Sequence, residues 1–331
     1  MKKIDLEQHF YDTCILDVLE KRKVPPCYDT KTQVFEFTQF DKISAAAVMP
    51  LLLDIAESRL KQMDQLGIDM AVLSCSPGPE QFDIQESIDA CSKVNDALGA
   101  IIKKYPGRFF GSATLPVKDP EAACKELERC VKQYGFVSWH THSNYLDSFP
   151  DDSTYRPIFK KASDLGVYVY LHPTYPNTSR LAGFGPTFSG AGLGYTIDTM
   201  ITLCRLIVSG IFDEMPNLKI CTGHLGEALP FLLERIDNRL KFVITPLIVM
   251  KKSMKYYFKN NVFITTSGNM SMEAFQCAKN VLGIDNIMYG SDYPYEPFND
   301  MIEFLASIPM TEEEREKLYY KNAINKLGIT F

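Results

Sequence analysis

Glu7 and His9 stand two residues apart in the opening run IDLEQHF. On a β-strand alternate residues share a face, so this carboxylate and this imidazole point the same way. An apolar core gains nothing from the pair, and burying an unpaired charge is costly. All five histidines of the chain close a short apolar run: His9, His140 and His142 in SWHTHSN, His172 in YVYLHP, and His224 in TGHLGE. Asp292 is placed likewise in MYGSDYP. A single buried histidine is more often a hydrogen-bonded core residue than a ligand. For His172 and Asp292, convergence with the other strand-end groups on one face points instead to a metal. Histidine with carboxylate suits Zn2+, Mn2+ or Fe2+, leaving a position open for water or substrate. His140 is expected to touch substrate or support a ligand, whereas His142 falls at the edge of the following loop. His224 and Glu227 lie three residues apart across a strand-to-helix turn. Glu227 there either offsets the dipole of a helix start or holds the tautomer of His224. Arg59 shares the Ile55/Met63 face of its helix, and Arg235 sits mid-helix after EALPFLLE. Each is either a snorkelling surface side chain or a clamp for a substrate carboxylate.

The elements that must position these groups recur along the chain. Strand candidates are residues 2–9, 70–76, 108–116, 135–141, 167–173, 218–224, 262–268 and 286–294. Amphipathic helices lie between them, one ending at Gly166 and the last starting at Thr311 with a capping box to Glu314. Eight βα units predict a (β/α)8 barrel, whose catalytic residues stand at the C-terminal ends of the strands. A doubly wound sheet would carry a Gly-rich dinucleotide turn after its first strand, and none is present; GFGPTFSGAGLG follows the fifth. The reading is one barrel domain over residues 1–331. Its extra length falls after strands 1 and 5, where residues 11–50 and 174–195 are expected to loop over the site.

Composition narrows the setting. Of 331 residues 46% are hydrophobic and 23% charged, which allows a sizeable core. A net charge of −6 without Lys/Arg clusters gives no footprint for nucleic acid or an anionic membrane. No run of about 18 uncharged apolar residues suggests a spanning helix, and no signal peptide is expected. The nine cysteines are scattered and include no C-x-x-C pair, so reduced thiols in a cytoplasmic protein are expected.

LEQHF, SRLKQMDQLGID, LPVKDPEAACKELERCV, GFVSWHTHSNYLD, YVYLHP, SGIFDEMPNLKICTGHLGEALPFLLERID, FITTSGN and YGSDYPYE together span most of residues 4–296. In order and spacing they resemble the amidohydrolase-superfamily branch related to aminocarboxymuconate-semialdehyde decarboxylase. The resemblance is strongest to the metal-dependent hydroxybenzoate decarboxylases of the gamma-resorcylate, 2,3-dihydroxybenzoate and 5-carboxyvanillate type. It implies one divalent ion, Mn2+ or Zn2+, held by Glu7, His9, His172 and Asp292, with no organic cofactor. It implies a catalytic network of Asp292, His224 and Glu227, with Arg59, Arg235, His140, Phe188 and Tyr293 near the substrate. Hydrolytic relatives often begin H-x-H, and E-x-H marks many decarboxylases of the branch. The fourth strand carries no lysine for the carbamylated bridge of binuclear hydrolases. Two departures stand out: Gln8 replaces a common Glu, and GPTFSGAGLGYTIDT replaces a more Trp-rich loop.

The implied reaction is non-oxidative decarboxylation of an ortho-hydroxylated aromatic acid. Loss of CO2 leaves an unstable aryl anion unless the ring carbon is protonated first, and Asp292 would supply that proton. His224 with Glu227 would take or polarise the phenolic proton. A hydrolase or hydratase of a small carboxylate, using the same site, is the alternative. A small aromatic acid is the expected partner, in a homo-oligomer of two or four chains, with no nucleic acid and no membrane.

Overall fold

In the computed structural model, residues 1–330 are described except Pro77, Asn177, Thr178, Ala182 and Gly183. Eight strands run in chain order around one sheet. They are β1 Ile4–Phe10, β2 Met70–Cys75, β3 Phe109–Thr114, β4 Ser138–His142, β5 Tyr168–His172, β6 Ile220–Thr222, β7 Val262–Thr265 and β8 Ile287–Met288. Each pairs in parallel with the next. β8 meets β1 through Leu6 N–H donating to Tyr289 O (3.0 Å) and His9 N–H to Tyr293 O (2.7 Å). The chain is a (β/α)8 barrel.

Period-two alternation sorts the strand residues into two cores. Ile4, Leu6, Met70, Val72, Tyr168, Tyr170, Cys221, Phe263 and Met288 fill the barrel interior. Their sequence neighbours, among them Ala71, Leu73, Trp139, Val169, Leu171 and Ile264, pack outward against the helices. The helix signals act as expected. Gly166 takes the left-handed conformation that stops Arg156–Leu165. Thr311 and Glu314 cap Glu312–Glu316 reciprocally.

Three elements differ from the pattern-based reading. The expected eighth strand, 286–294, shrinks to Ile287–Met288, and Asp292 lies beyond it at φ 65°. Residues 11–50 hold structure of their own: helix Thr13–Lys21, a three-stranded antiparallel sheet (Cys27–Asp29, Val34–Glu36, Lys42–Ser44) and helix Met49–Leu53. Pro186–Val208 matches a membrane-crossing helix by length and a mean hydropathy of 1.3. It is interrupted between Ser189 and Gly194, and Leu203, Leu206 and Ile207 are wholly buried in the helix-facing core.

Arg59 fits neither of the roles left open for it. It is fully buried in helix Glu57–Leu66. It donates to His9 O (2.7 Å) and Gln8 Oε1 (3.1 Å) and lies over the Tyr293 ring. Burial pushes its guanidinium down to about 10, still protonated at neutral pH. Gln8 passes the contact on, donating to Asp5 Oδ2 (2.9 Å), while Asp5 Oδ1 accepts from Ser291 N–H (2.9 Å). Along this stretch β1 carries one extra residue, because Asp5 pairs with Ala71 and Gln8 with Leu73. The network therefore holds a bulge within β1, in the stretch that carries Glu7. Arg59→Ala removes both donors and leaves a void, so it should lower the unfolding free energy by about 2–4 kcal/mol. Arg59→Lys should recover only part, since one ammonium does not reproduce the fork. Urea denaturation reads both, and an Arg59→Ala midpoint equal to that of the wild type would contradict this role.

Candidate active site

Glu7 and His9 lie in the second half of β1, His172 ends β5, and Asp292 follows β8. Their nearest ligand atoms all lie within 4.8 Å of one another. His9 Nε2 is 3.1 Å from Asp292 Oδ1 and 3.8 Å from Glu7 Oε1, and His172 Nε2 is 3.9 Å from Glu7 Oε1. Three of the four groups are anchored by their far atoms. Thr265 Oγ1 donates to Glu7 Oε2 (3.0 Å), Ser74 Oγ sits 3.1 Å from His9 Nδ1, and Pro173 O lies 2.7 Å from His172 Nδ1. Small residues leave the room. A Cβ on Gly290 would stand 2.8 Å from Thr265 Cβ, and one on Gly223 2.9 Å from Ser267 Oγ.

These residues fit a divalent cation. Glu7 Oε1 is buried without a hydrogen-bond partner. Burial disfavours a charged His9, yet the hydrogen bonds and charges of Asp292 and Glu7 outweigh it and hold the ring up to about 9. Asp292 is also penalised by burial, but His224 and His9 hold it below the ordinary carboxylate range. Burial, reinforced by neighbouring imidazoles, pushes His172 well below its usual value, keeping a neutral nitrogen available. An excess of negative charge beside free nitrogen lone pairs is what a divalent ion neutralises.

His224 is presented by an unusual backbone. His224, Leu225, Gly226, Glu227 and Ala228 have φ of 54, 56, 83, 54 and 61°. Four of the five are not glycine, and left-handed geometry costs such residues about 1–2 kcal/mol each. Helix Leu229–Leu240 starts only after this turn, so Glu227 is not in a first helical turn as the spacing suggested. Instead, buried Glu227 lies 2.6 Å from His224 Nδ1 through Oε1, and His224 Nε2 is 3.7 Å from Asp292 Oδ2. Burial opposes charge on His224, but Glu227 and Asp292 raise it well above the usual histidine value.

Over this cluster opens a cavity of about 420 Å3. Phe37, Ile43, Tyr175, Tyr195, Tyr295 and Glu296 contribute to its wall, with His172, His224 and Asp292 exposed to it. Among the described residues lining it there is no lysine or arginine. Arg235 is exposed on Leu229–Leu240 and is not among the lining residues. Phe188 projects outward from Pro186–Ser189, 52% exposed, while Pro186 and Thr187 line the wall. Tyr293 is stacked on Phe298 beneath Arg59, with its hydroxyl accepting from Gln62 Nε2, and Tyr295 takes the cavity position. His140 is buried below the ligands, its ring stacked on Tyr170 and its Nε2 without a partner. Sequence reasoning missed Thr265, Ser267, Tyr175, Tyr195 and Tyr295. Only FITTSG and YPYE, polar residues just past strand ends, offered a signal.

Fold and site together define a metal-dependent barrel enzyme. A family model for the amidohydrolases matches residues 4–329, and the chain belongs to that family. It is 33% identical to gamma-resorcylate decarboxylase of Rhodococcus jostii, over 97% of either chain. The crystal structure of 2,6-dihydroxybenzoate decarboxylase from Rhizobium superposes with a TM-score of 0.85 at 32% identity, covering 99% of both chains. A dihydroxybenzoic acid decarboxylase from Polaromonas, solved with manganese and the inhibitor 2-nitroresorcinol, superposes at 0.86. It is 31% identical and the match covers 99% of this chain and 97% of that one.

Gly268 tests the packing of His224 against Asp292. It sits at φ +61°, and a Cβ there would stand 2.7 Å from His224 Cδ2 and 3.4 Å from Asp292 Oδ2. Gly268→Ala should displace His224, lowering turnover by about 100-fold through misplacement while the bound metal is retained. Metal analysis beside steady-state kinetics checks this, and unchanged kcat would show that the ring is not held there.

Proposed function

We propose that the chain is a metal-dependent, non-oxidative decarboxylase of an ortho-hydroxylated aromatic acid. The observation that carries this reading is the juxtaposition of three parts: the Glu7–His9–His172–Asp292 set, an aromatic-walled cavity above it, and His224 bridging Glu227 and Asp292. Full-length similarity to gamma-resorcylate and dihydroxybenzoate decarboxylases, one with manganese, supports it and favours Mn2+ over Zn2+.

Glu7, His9, His172 and Asp292 would hold the cation, which when bound supplies the positive charge that fixes a carboxylate and an ortho phenolate. The cavity wall has no cationic side chain of its own among the described residues, so His224 is the one protein cation facing the substrate. Tyr175, Tyr195, Tyr295 and Phe37 flank the ring and exclude water from it. Residues 11–50 and 174–195 supply part of this cover, through Phe37 and Ile43 on one side and Tyr175, Pro186 and Tyr195 on the other.

The proton required at the ring carbon starts on His224, which Glu227 keeps charged. It passes from Nε2 to Asp292 Oδ2, 3.7 Å away, and from the Asp292 carboxyl to the carbon bearing CO2. The carbon–carbon bond then breaks, its electron pair restores the aromatic ring, and CO2 departs.

The reading extends to the setting of the protein. All nine cysteines are free, which supports a reducing, cytoplasmic environment. Phe231, Phe242, Ile244 and Leu247 are exposed on Leu229–Leu240 and the stretch after it, which supports a homodimer or homotetramer.

Mn2+-loaded protein should release CO2 from one or more ortho-hydroxybenzoates, including 2,6-dihydroxybenzoate, with loss of ultraviolet absorbance. In heavy water the product should carry deuterium at the vacated carbon. A product bearing a hydroxyl there would defeat the mechanism. Asp292→Asn should lose about 10²–10⁴-fold in turnover. Near-normal turnover by its metal-loaded form would move the donor role to His224. Light scattering should find the protein larger than one chain at micromolar concentration, and monomer alone would refute self-association.

A further inference from the structure

Glu80 and His142 take no part in the chemistry above, yet both are buried within the barrel mouth. Glu80 lies on the short turn Pro79–Gln81 after β2, and His142 ends β4. Glu80 Oε1 is 3.0 Å from His142 Nδ1. On the other side of the ring, His142 Nε2 is 3.3 Å from Ser76 Oγ. The same hydroxyl is 3.2 Å from His172 Nδ1. A single buried hydrogen-bonded pair adds little net stability, so its place beside a ligand histidine is the informative feature.

We propose that Glu80, His142 and Ser76 form a hydrogen-bonded chain that orients His172 and sets the metal affinity of the site. The inference rests on His172 being a metal ligand. The donors run in one consistent direction. His172 Nδ1–H donates to Ser76 Oγ, the Ser76 hydroxyl to His142 Nε2, and His142 Nδ1–H to the Glu80 carboxylate. Each proton so placed leaves His172 Nε2 with its lone pair toward Glu7 Oε1. Pro173 O, 2.7 Å from the same Nδ1, also favours this tautomer. The contribution of the chain is a second acceptor that fixes the ring plane, with a carboxylate at its end that raises the basicity of Nε2.

His140, His142 and His172 also cluster within 4.8 Å and offer the outline of a second cation site. That use conflicts with the bonds already made. Both nitrogens of His142 are engaged, and those of His172 face Ser76 and Glu7, leaving only His140 Nε2 free.

The test is Mn2+ affinity by chelator competition, for wild type, Ser76→Ala, Glu80→Gln and the double variant, with the thermal midpoint of each apoprotein alongside. Wild type should hold one Mn2+ per chain. Ser76→Ala, which cuts the chain at one atom, should weaken binding by about 10–100-fold at an unchanged apo midpoint. Glu80→Gln keeps the shape and should weaken it less. The double variant should bind no more weakly than Ser76→Ala, because a severed chain transmits nothing from Glu80. Affinities of both single variants within twofold of wild type would overturn the proposal. So would additive losses in the double variant, or two ions per chain. Absence of Mn2+ from the wild type would instead overturn the ligand assignment beneath it.

Discussion

The seam between β1 and β8 is the constraint on which the site depends. The carboxylate of Asp5 accepts from Ser291 N–H and from Gln8, and Gln8 in turn accepts from Arg59. Asp292 N–H donates to Glu7 O across the same seam. One buried network therefore closes the barrel and brings Glu7, His9 and Asp292 together from opposite ends of the chain. Asp5 is fully buried at this joint, and that burial pushes its carboxyl up to about 6. The polar groups buried here are almost all mutually satisfied, the condition under which such a network gives rigidity rather than a penalty.

Electrostatics then divide four chemically identical imidazoles. His172 and His140 are driven toward the neutral form by burial and by neighbouring imidazoles. His9 and His224, each against carboxylates, are held charged despite similar burial. The neutral His172 is suited to keeping a lone pair, and the charged His224 to carrying a proton toward the cavity. With a cation among the ligands, His9 joins the first group, because the carboxylates that raise it then have a stronger partner. His224 keeps Glu227 to itself and retains its role.

Backbone geometry supplies what side-chain chemistry alone does not. A run of left-handed residues from His224 to Ala228 folds Glu227 back onto His224, and Asp292 turns toward both from its own left-handed position. Strain of this kind persists only where surrounding packing over-determines it. Leu225 within the turn and Leu229 just after it are buried in the helix-facing core and hold it.

The sequence by itself determined the barrel and the convergence of Glu7, His9, His172 and Asp292 at one end of it. Period-two strands, 3.6-period helices and the E-x-H spacing are local properties, and a side chain at a strand end has its direction set by the strand. It also determined that His224 and Glu227 belong together. What only the tertiary structure decided lies where that periodicity stops. Whether Tyr293 or Tyr295 faces the cavity depends on a chain reversal at Asp292 that has no strand to define its faces. Arg59 looks like a substrate clamp from its helical face, yet its partners, Gln8 and the His9 carbonyl, lie 50 residues away in sequence. Glu80 and His142 gave no spacing signal, because their pairing joins the ends of two strands that are not neighbours. Local patterns encode which way a residue points. Which distant residue it meets is set by how the eight strands close.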